Sequence, residues 1–315
     1  MEGNKRYAAI DIGSNAVRLL IKKAEVEGNE VSFTKELLLR VPLRLGFDVF
    51  ETGRLSEGKA DDLKRLMKTY KHLMKIYKVD SYRACATSAM RDAENGEKII
   101  KKIRQTTGID IEIINGQQEA KIIYGNQMEM HDDRNGYFMY VDVGGGSTEV
   151  NLIASGELVY SQSFNIGTVR ILTGGVTEAA WQYMKDEIAA HIKDMSPINI
   201  IGSGGNINKL YKLIYIANRK KKQLPVVSLR KFYEKLAPLG KEERMKLYGM
   251  RTDRADVIVP ASEIFLTIAD ILKSEYILVP GIGLSDGLID AMYMADNAGG
   301  ATAGEGEAEK KEKLK

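Results

Sequence analysis

Two short segments, Asp11-Ile12-Gly13-Ser14-Asn15 and Asp142-Val143-Gly144-Gly145-Gly146-Ser147-Thr148, hold the residue types that a phosphate needs. Each ends an apolar run with an acid and a glycine, then supplies a hydroxyl. Glycine lets the backbone approach an anion closely, and a concave run of N–H groups forms an anion nest. Either loop alone would serve equally as a tight hairpin. Three consecutive glycines are wasteful for a turn, because glycine loses most entropy on ordering. Taken together, the loops read as phosphate cradles built from Gly13, Ser14 and Asn15 on one side and Gly144, Gly145, Gly146 and Ser147 on the other. A carboxylate at such a mouth needs a cation between itself and the phosphate. Asp142, with Glu149 assisting and Asp11 as a further candidate, could hold Mg²⁺, since hard oxygen ligands suit that ion. In the alternative, these acids only accept bonds from loop N–H groups.

A third segment, Asn115-Gly116-Gln117-Gln118-Glu119-Ala120, opens a helix, with Asn115 as N-cap and Gln118 completing a capping box. Glu119 falls in the first turn. Phosphoryl transfer to water needs an oriented nucleophile, and a half-buried carboxylate is a reasonable general base. Position alone favours a helix-dipole role for Glu119 over catalysis. Arg91 follows the end of a strand, where open α/β sheets place ligand contacts, and its planar fork suits phosphate. Arg18, Arg44, Arg170 and Arg254 are weaker candidates of the same kind.

The elements that must position these groups are duplicated. Residues Ala8–Phe33 and Met139–Phe164 align without a gap, so Asp11 matches Asp142, Gly13 matches Gly144 and Phe33 matches Phe164, while Gly28 and Gly156 each fall in the second turn of their repeat. Each repeat reads as three strands joined by tight turns. After the first come a helix over 56–77, a strand over 80–86, a helix over 96–106, a strand over 109–114 and a helix from Gln117. After the second come a helix over 177–194, a strand over 198–201, helices from Asn206 and through most of 228–273, a strand over 276–279 and a helix over 286–296. Alternating strands and helices imply an α/β protein with mixed sheets covered by helices. We expect lobes over 1–126 and 127–298 with a cleft between them, and a disordered Gly/Ala/Glu/Lys tail over 299–315.

Bulk properties exclude several other classes. A net charge of +3 in 315 residues does not indicate a DNA-binding protein. Residues 1–125 carry 23 Lys/Arg against 18 Asp/Glu, so a polyanion would be drawn toward the first half. No apolar run approaches the ~20 residues of a membrane span, and no signal peptide is evident, so the expected location is cytoplasmic. Cys85, the one cysteine, reads as a small buried hydrophobe. His72, His131 and His191 lack metal-ligand spacing, which argues against zinc chemistry and a Ser-His-Asp triad. The basic run 219–222 reads as an exposed loop.

These segments, with Thr52–Glu57, Ala86–Gly96, Gly167–Arg170, Gly202–Asn206 and Arg251–Pro260, resemble the exopolyphosphatase and guanosine pentaphosphate phosphatase family, Ppx/GppA, in its short two-domain form. The resemblance implies two actin-like, ribonuclease H-like lobes with an interdomain active site. It implies that Glu119 is the base, that Asp142 and Glu149 help hold Mg²⁺, and that both glycine loops bind phosphate. The implied substrate is inorganic polyphosphate or guanosine pentaphosphate, a stringent-response nucleotide, and a homodimer is left open. This chain departs from the family at Gln118 (commonly Glu), at Ala16 (commonly Ser) and at Ser285-Asp286 (commonly Arg-Glu). Long members carry a further helical domain, and without it retention of long polymers is open. A kinase on the same scaffold, or a non-catalytic sensor of guanosine tetra- or pentaphosphate, are the alternatives.

Overall fold

The computed structural model describes residues 5–28, 30–127, 136–193, 195–214 and 222–297. In the first sheet, β1 (Arg6–Ile12), β2 (Val17–Glu27), β3 (Glu30–Val41), β4 (Ser81–Ala86) and β5 (Glu112–Ile113) lie in the order β3-β2-β1-β4-β5. In the second, β6 (Tyr137–Val143), β7 (Thr148–Ala154), β8 (Glu157–Phe164), β9 (Ile198–Ser203), β10 (Gln223–Pro225) and β11 (Tyr276–Leu278) lie in the order β8-β7-β6-β9-β11-β10. The connectivity matches. Each sheet has an antiparallel meander flanked by a strand parallel to its first, β4 beside β1 and β9 beside β6. The chain is thus α/β with two actin-like lobes. The duplication is also visible at the corners, where Gly13 N donates to Ala16 O at 3.2 Å and Gly144 N donates to Ser147 O at 2.9 Å.

Strands β1, β6 and β7 are buried almost throughout, because each sheet is covered on both faces. In the first lobe, α1 (Leu45–Thr52), α2 (Glu57–Ile76), α3 (Ser88–Asp92) and α4 (Gly96–Thr107) surround the sheet. Leu63, Met67 and Tyr70 of α2 recur every three to four residues and are fully buried against the strands. In the second, the helices are α6 (Thr168–Leu172), α7 (Glu178–His191), α8 (Gly205–Leu213), α9 (Val226–Leu236), α10 (Lys241–Tyr248), α11 (Thr252–Ala255) and α12 (Ile258–Leu272). α12 is apolar on nearly every side and runs through that lobe's core.

Two helices cross between the sheets. α5 (Gly116–Gln127) follows the first sheet in sequence but packs on the second: Asn151 Nδ2 of β7 donates to Ala120 O at 2.9 Å. The closing helix, α13 (284–297), returns to the first sheet, where Leu284, Leu288 and Ile289 bury against Tyr7, Ala9, Leu20 and Cys85. Its Asp296 accepts from Tyr7 OH at 3.0 Å. The two helices touch where Gly287 meets the Ile122 carbonyl, and a Cβ at Gly287 would lie 2.3 Å from that oxygen.

Most expected elements are present. The strand expected over 109–114 shrinks to Glu112–Ile113, because only Cys85 and Ala86 of β4 lie opposite to pair with it. The short α1, α3, α6 and β10 have too few residues to show a periodicity. Cys85 is buried, while His72 and His191 are exposed. His131, residues 219–221 of the basic run and the 299–315 tail lie outside the described residues. None of the described helices is long and apolar enough to cross a membrane.

Candidate active site

The two glycine corners converge. A Cβ built on Gly145 would lie 2.9 Å from Ser14 Cβ and 3.2 Å from Asn15 N, so only glycine permits this approach. Between the corners opens a cleft of about 510 Å³, lined by both loops and by Glu119, Asp142 and Glu149. Of the residues expected at the site, Gly13, Ser14, Asn15, Gly144, Gly145 and Ser147 line it. Gly146 and Arg91 are not among the lining residues. Gly146 is wedged between lobes, where a Cβ would lie 2.4 Å from Ser88 Oγ. Arg91 instead donates to Ile114 O at 3.0 Å and so braces the segment leading into α5.

Glu119 sits in the first turn of α5, whose capping box forms as the spacing implies. Asn115 N donates to Gln118 Oε1 at 2.9 Å, and Gln118 N donates to Asn115 Oδ1 at 2.8 Å. The neutral Gln118 thereby caps the helix without adding charge beside Glu119. Glu119 is 8% exposed, and its Oε2 is buried with no hydrogen-bond partner. Burial, followed by the nearby Glu149, Asp142 and Asp11 carboxylates, pushes its pKa well above the usual carboxylate range, against the pull of Arg91.

Asp142, next to last in β6, stands directly across the ladder from Glu149 of β7. Asp142 accepts from Ser203 Oγ at 3.3 Å, and Glu149 Oε1 accepts from Ser147 Oγ at 2.6 Å and Ser163 Oγ at 2.9 Å. Burial raises Asp142 to about 6, with Arg18 opposing, and raises Glu149 to about 7, with the two serine hydroxyls opposing. Among the described residues, no three of His, Cys, Asp and Glu converge tightly enough to hold a metal ion by themselves. A hard cation that keeps several waters and shares phosphate oxygens needs only one or two protein carboxylates. Asp142 and Glu149 fit that description, and the unpartnered Glu119 oxygen faces the same shortage of positive charge.

The opposite wall is basic. Asp11 is paired with Arg18, its cross-strand neighbour, and Arg18 lies opposite Arg40 of β3. Arg40 is paired with Asp253 of α11, and its Nε is buried without a partner. Arg254 is tied to the neutral Asn206 Oδ1 at 2.6 Å, and burial with the neighbouring Arg40 and Arg18 pushes it down to about 9. Three guanidiniums thus meet with two carboxylate partners, a ready anion site. Arg40 escaped the sequence reading; only the β2–β3 register places it here. Of the weaker candidates, Arg44 is committed to Asp256, and Arg170 to Gly146 O at 2.8 Å and Asp92. At the departure Ser285-Asp286, Asp286 pairs with Lys22 at 2.7 Å and accepts from Gly283 N at 3.1 Å, while Ser285 lines the cleft.

Residues 29–295 match the family model described as the Ppx/GppA phosphatase family. The chain belongs to the Ppx/GppA family. It is similar to a bifunctional 3-dehydroquinate synthase/phosphatase of Fusobacterium nucleatum, at 27% identity over 88% of this chain and 45% of that protein. It is also similar to a guanosine-5'-triphosphate,3'-diphosphate pyrophosphatase of Aeromonas hydrophila, at 26% identity over 92% of this chain and 60% of that protein. The chain therefore spans about half the length of these curated relatives. The Ppx/GppA crystal structure from Aquifex aeolicus superposes with a TM-score of 0.75 at 28% identity, covering 94% of this chain and 99% of that one. An exopolyphosphatase from Cytophaga hutchinsonii has the same fold, with a TM-score of 0.79 at 23% identity over 91% and 97% of the two chains.

Proposed function

We propose that this Ppx/GppA chain is a Mg²⁺-dependent phosphoanhydride hydrolase that releases the terminal phosphate of inorganic polyphosphate or guanosine pentaphosphate. One observation carries the reading: a buried carboxylate oxygen of Glu119 without a protein partner, at the cleft where two glycine corners converge. The corners' N–H groups, that of Ser147 among them, and the Ser14 hydroxyl would hold the terminal phosphoryl group. Arg18, Arg40 and Arg254 would bind the anionic remainder. Glu119, as carboxylate, would accept a proton from the water it orients toward phosphorus, and the bridging oxygen would leave with the shortened chain. Asp142 and Glu149 would hold Mg²⁺, which when bound neutralises charge developing on the phosphoryl oxygens. Their placement supports a shared cation, because the two carboxylates stand directly opposite each other on neighbouring strands and both line the cleft.

The names of relatives support both substrates and do not rank them. The test is phosphate release from short polyphosphate, long polyphosphate and guanosine pentaphosphate with and without Mg²⁺, by the parent and by Glu119→Gln. We expect a loss of about 10²–10⁴ in rate for the variant, with substrate binding retained. Equal rates in the two proteins would remove Glu119 from the mechanism.

A further inference from the structure

Four residues on neighbouring strands of the second sheet form one row beneath the cleft: Ser203 of β9, Asp142 of β6, Glu149 of β7 and Ser163 of β8. Each is the direct ladder partner of the next. The two acids occupy the middle; Glu149 receives the Ser163 hydroxyl at 2.9 Å, while Ser203 Oγ shares its one hydrogen between Asp142 at 3.3 Å and the Ile282 carbonyl at 3.1 Å. The Ser163 end is the more tightly built. Its Oγ lies 2.9 Å from Glu149 Oε1, the same oxygen that Ser147 Oγ approaches to 2.6 Å. Two donors on one oxygen fix the rotation of the carboxylate, and with it the direction in which Oε2 points.

Ser163 also has a second neighbour. Gly116, the first residue of α5, lies so close that a Cβ there would come within 2.2 Å of Ser163 Cβ and 2.4 Å of its Oγ. Glu119 follows three residues later, within the same turn. One side chain therefore touches both the helix that presents the base and the acid assigned to the cation.

We propose that Ser163 is a positioning residue that orients Glu149 for a divalent cation and, through its contact with Gly116, sets that carboxylate against the helix bearing Glu119. This rests on the reading of Glu149 as a cation ligand. Ligand-orienting partners of this kind are typically worth 10–100-fold in metal affinity. Ser163→Ala keeps the Cβ packed on Gly116 and removes only the hydroxyl.

The experiment measures Mn²⁺ binding to the full chain by electron paramagnetic resonance of the free ion, without substrate. The proteins compared are the parent, Ser163→Ala, Ser161→Ala and Glu149→Gln, with thermal unfolding of each. Ser161 lies on the same strand two residues earlier and its buried hydroxyl has no partner, so its variant controls for loss of a strand serine. We expect Ser163→Ala to bind Mn²⁺ about 10-fold more weakly, with Tm near that of Ser161→Ala, and Ser161→Ala to bind as the parent does. The Mg²⁺ concentration for half-maximal phosphate release should rise in the same ratio, with kcat at saturating Mg²⁺ changing little. Parent-like Mn²⁺ affinity in Ser163→Ala, while Glu149→Gln loses binding, overturns the role of Ser163 alone. Parent-like affinity in Glu149→Gln overturns the reading of Glu149 and the proposal with it. Equal weakening in Ser163→Ala and Ser161→Ala makes the effect one of strand packing and also overturns it.

Discussion

Arg18 and Glu149 occupy equivalent places in the two lobes, each directly across an antiparallel ladder from the aspartate next to last in the preceding strand. The duplicated corner thus carries an acid–base pair in one lobe and an acid–acid pair in the other. One wall of the cleft keeps an excess guanidinium, because Arg254 is bonded to the neutral Asn206. The other sets Asp142 and Glu149 opposite each other, with serine hydroxyls as their hydrogen-bond partners. That asymmetry is what a phosphate chain accompanied by a metal ion would require.

Replacing Arg18 with Met should leave Asp11, 3% exposed, as an uncompensated buried carboxylate. Breaking such a pair costs about 3 kcal/mol, whereas removing both charges costs far less. Urea unfolding should therefore show a large loss for Arg18→Met and a substantial recovery in Asp11→Asn/Arg18→Met. Equal stability of the single and double variants would mean the pair is effectively solvated.

Metal-free protein should lose stability as pH rises from about 4.5 to 7. Glu149, ordinarily near 4.5, and Asp142, ordinarily near 3.8, hold their protons to about 7 and about 6 in the folded state. Across that window the folded chain binds more protons than the unfolded one, so unfolding free energy falls with rising pH. Their favourable contribution is complete below the unfolded values and gone above the folded ones. Thermal melts should show a shallower decline in Glu149→Gln, and Mg²⁺ should raise Tm at pH 7.5 but hardly at pH 4.5.

The corner glycines should differ in kind when changed to Ala. At Gly167 an added Cβ would lie 2.4–2.5 Å from backbone atoms of Gly146 and 2.5 Å from Ser147 N, which cannot swing away. At Gly145 the nearest atom is the Ser14 side chain at 2.9 Å. We expect Gly167→Ala to lower Tm markedly, and Gly145→Ala to lower phosphate release at least 10-fold, in line with the steep dependence of rate on ~1 Å of misplacement, with a smaller change in Tm. Calorimetry and the phosphate assay on the same samples check both.

Cys85 should be silent toward thiol reagents in the native protein. Burial pushes its thiol up to about 12, so almost no thiolate exists at pH 8. Labelling with an aromatic disulfide at pH 8 should proceed only in denaturant, and rapid native-state labelling would contradict the packing of α13 over the first sheet.

The duplication was legible because the Asp-x-Gly corners recur at fixed spacing and because strand and turn periodicities are local properties of the chain. Glu119 needed more than its own neighbourhood. Its helix position read as dipole stabilisation, and only the meeting of α5 with the second sheet puts it at the cleft. Arg40 and Ser163 were not legible at all. Each enters through the register of a third strand, and the two meanders differ in length and carry irregularities at Ile21/Lys22 and Leu152/Ile153. A gapless alignment of the repeats cannot pair residues beyond those points. Arg91 stands apart from the cleft lining for a related reason: the one-turn α3 after β4 sets its guanidinium against the Ile114 carbonyl, from where its charge still acts on Glu119 and Glu149.

The exchange of α5 and α13 between the sheets has a consequence for how the molecule can be taken apart. A fragment ending at Gln127 would keep the helix that belongs against its neighbour's strands and lack the one that covers its own. The complementary fragment would have the reverse defect. Each piece expressed alone should expose a greasy sheet face and precipitate, while co-expression should restore a soluble pair, as if two hands had to clasp before either could close.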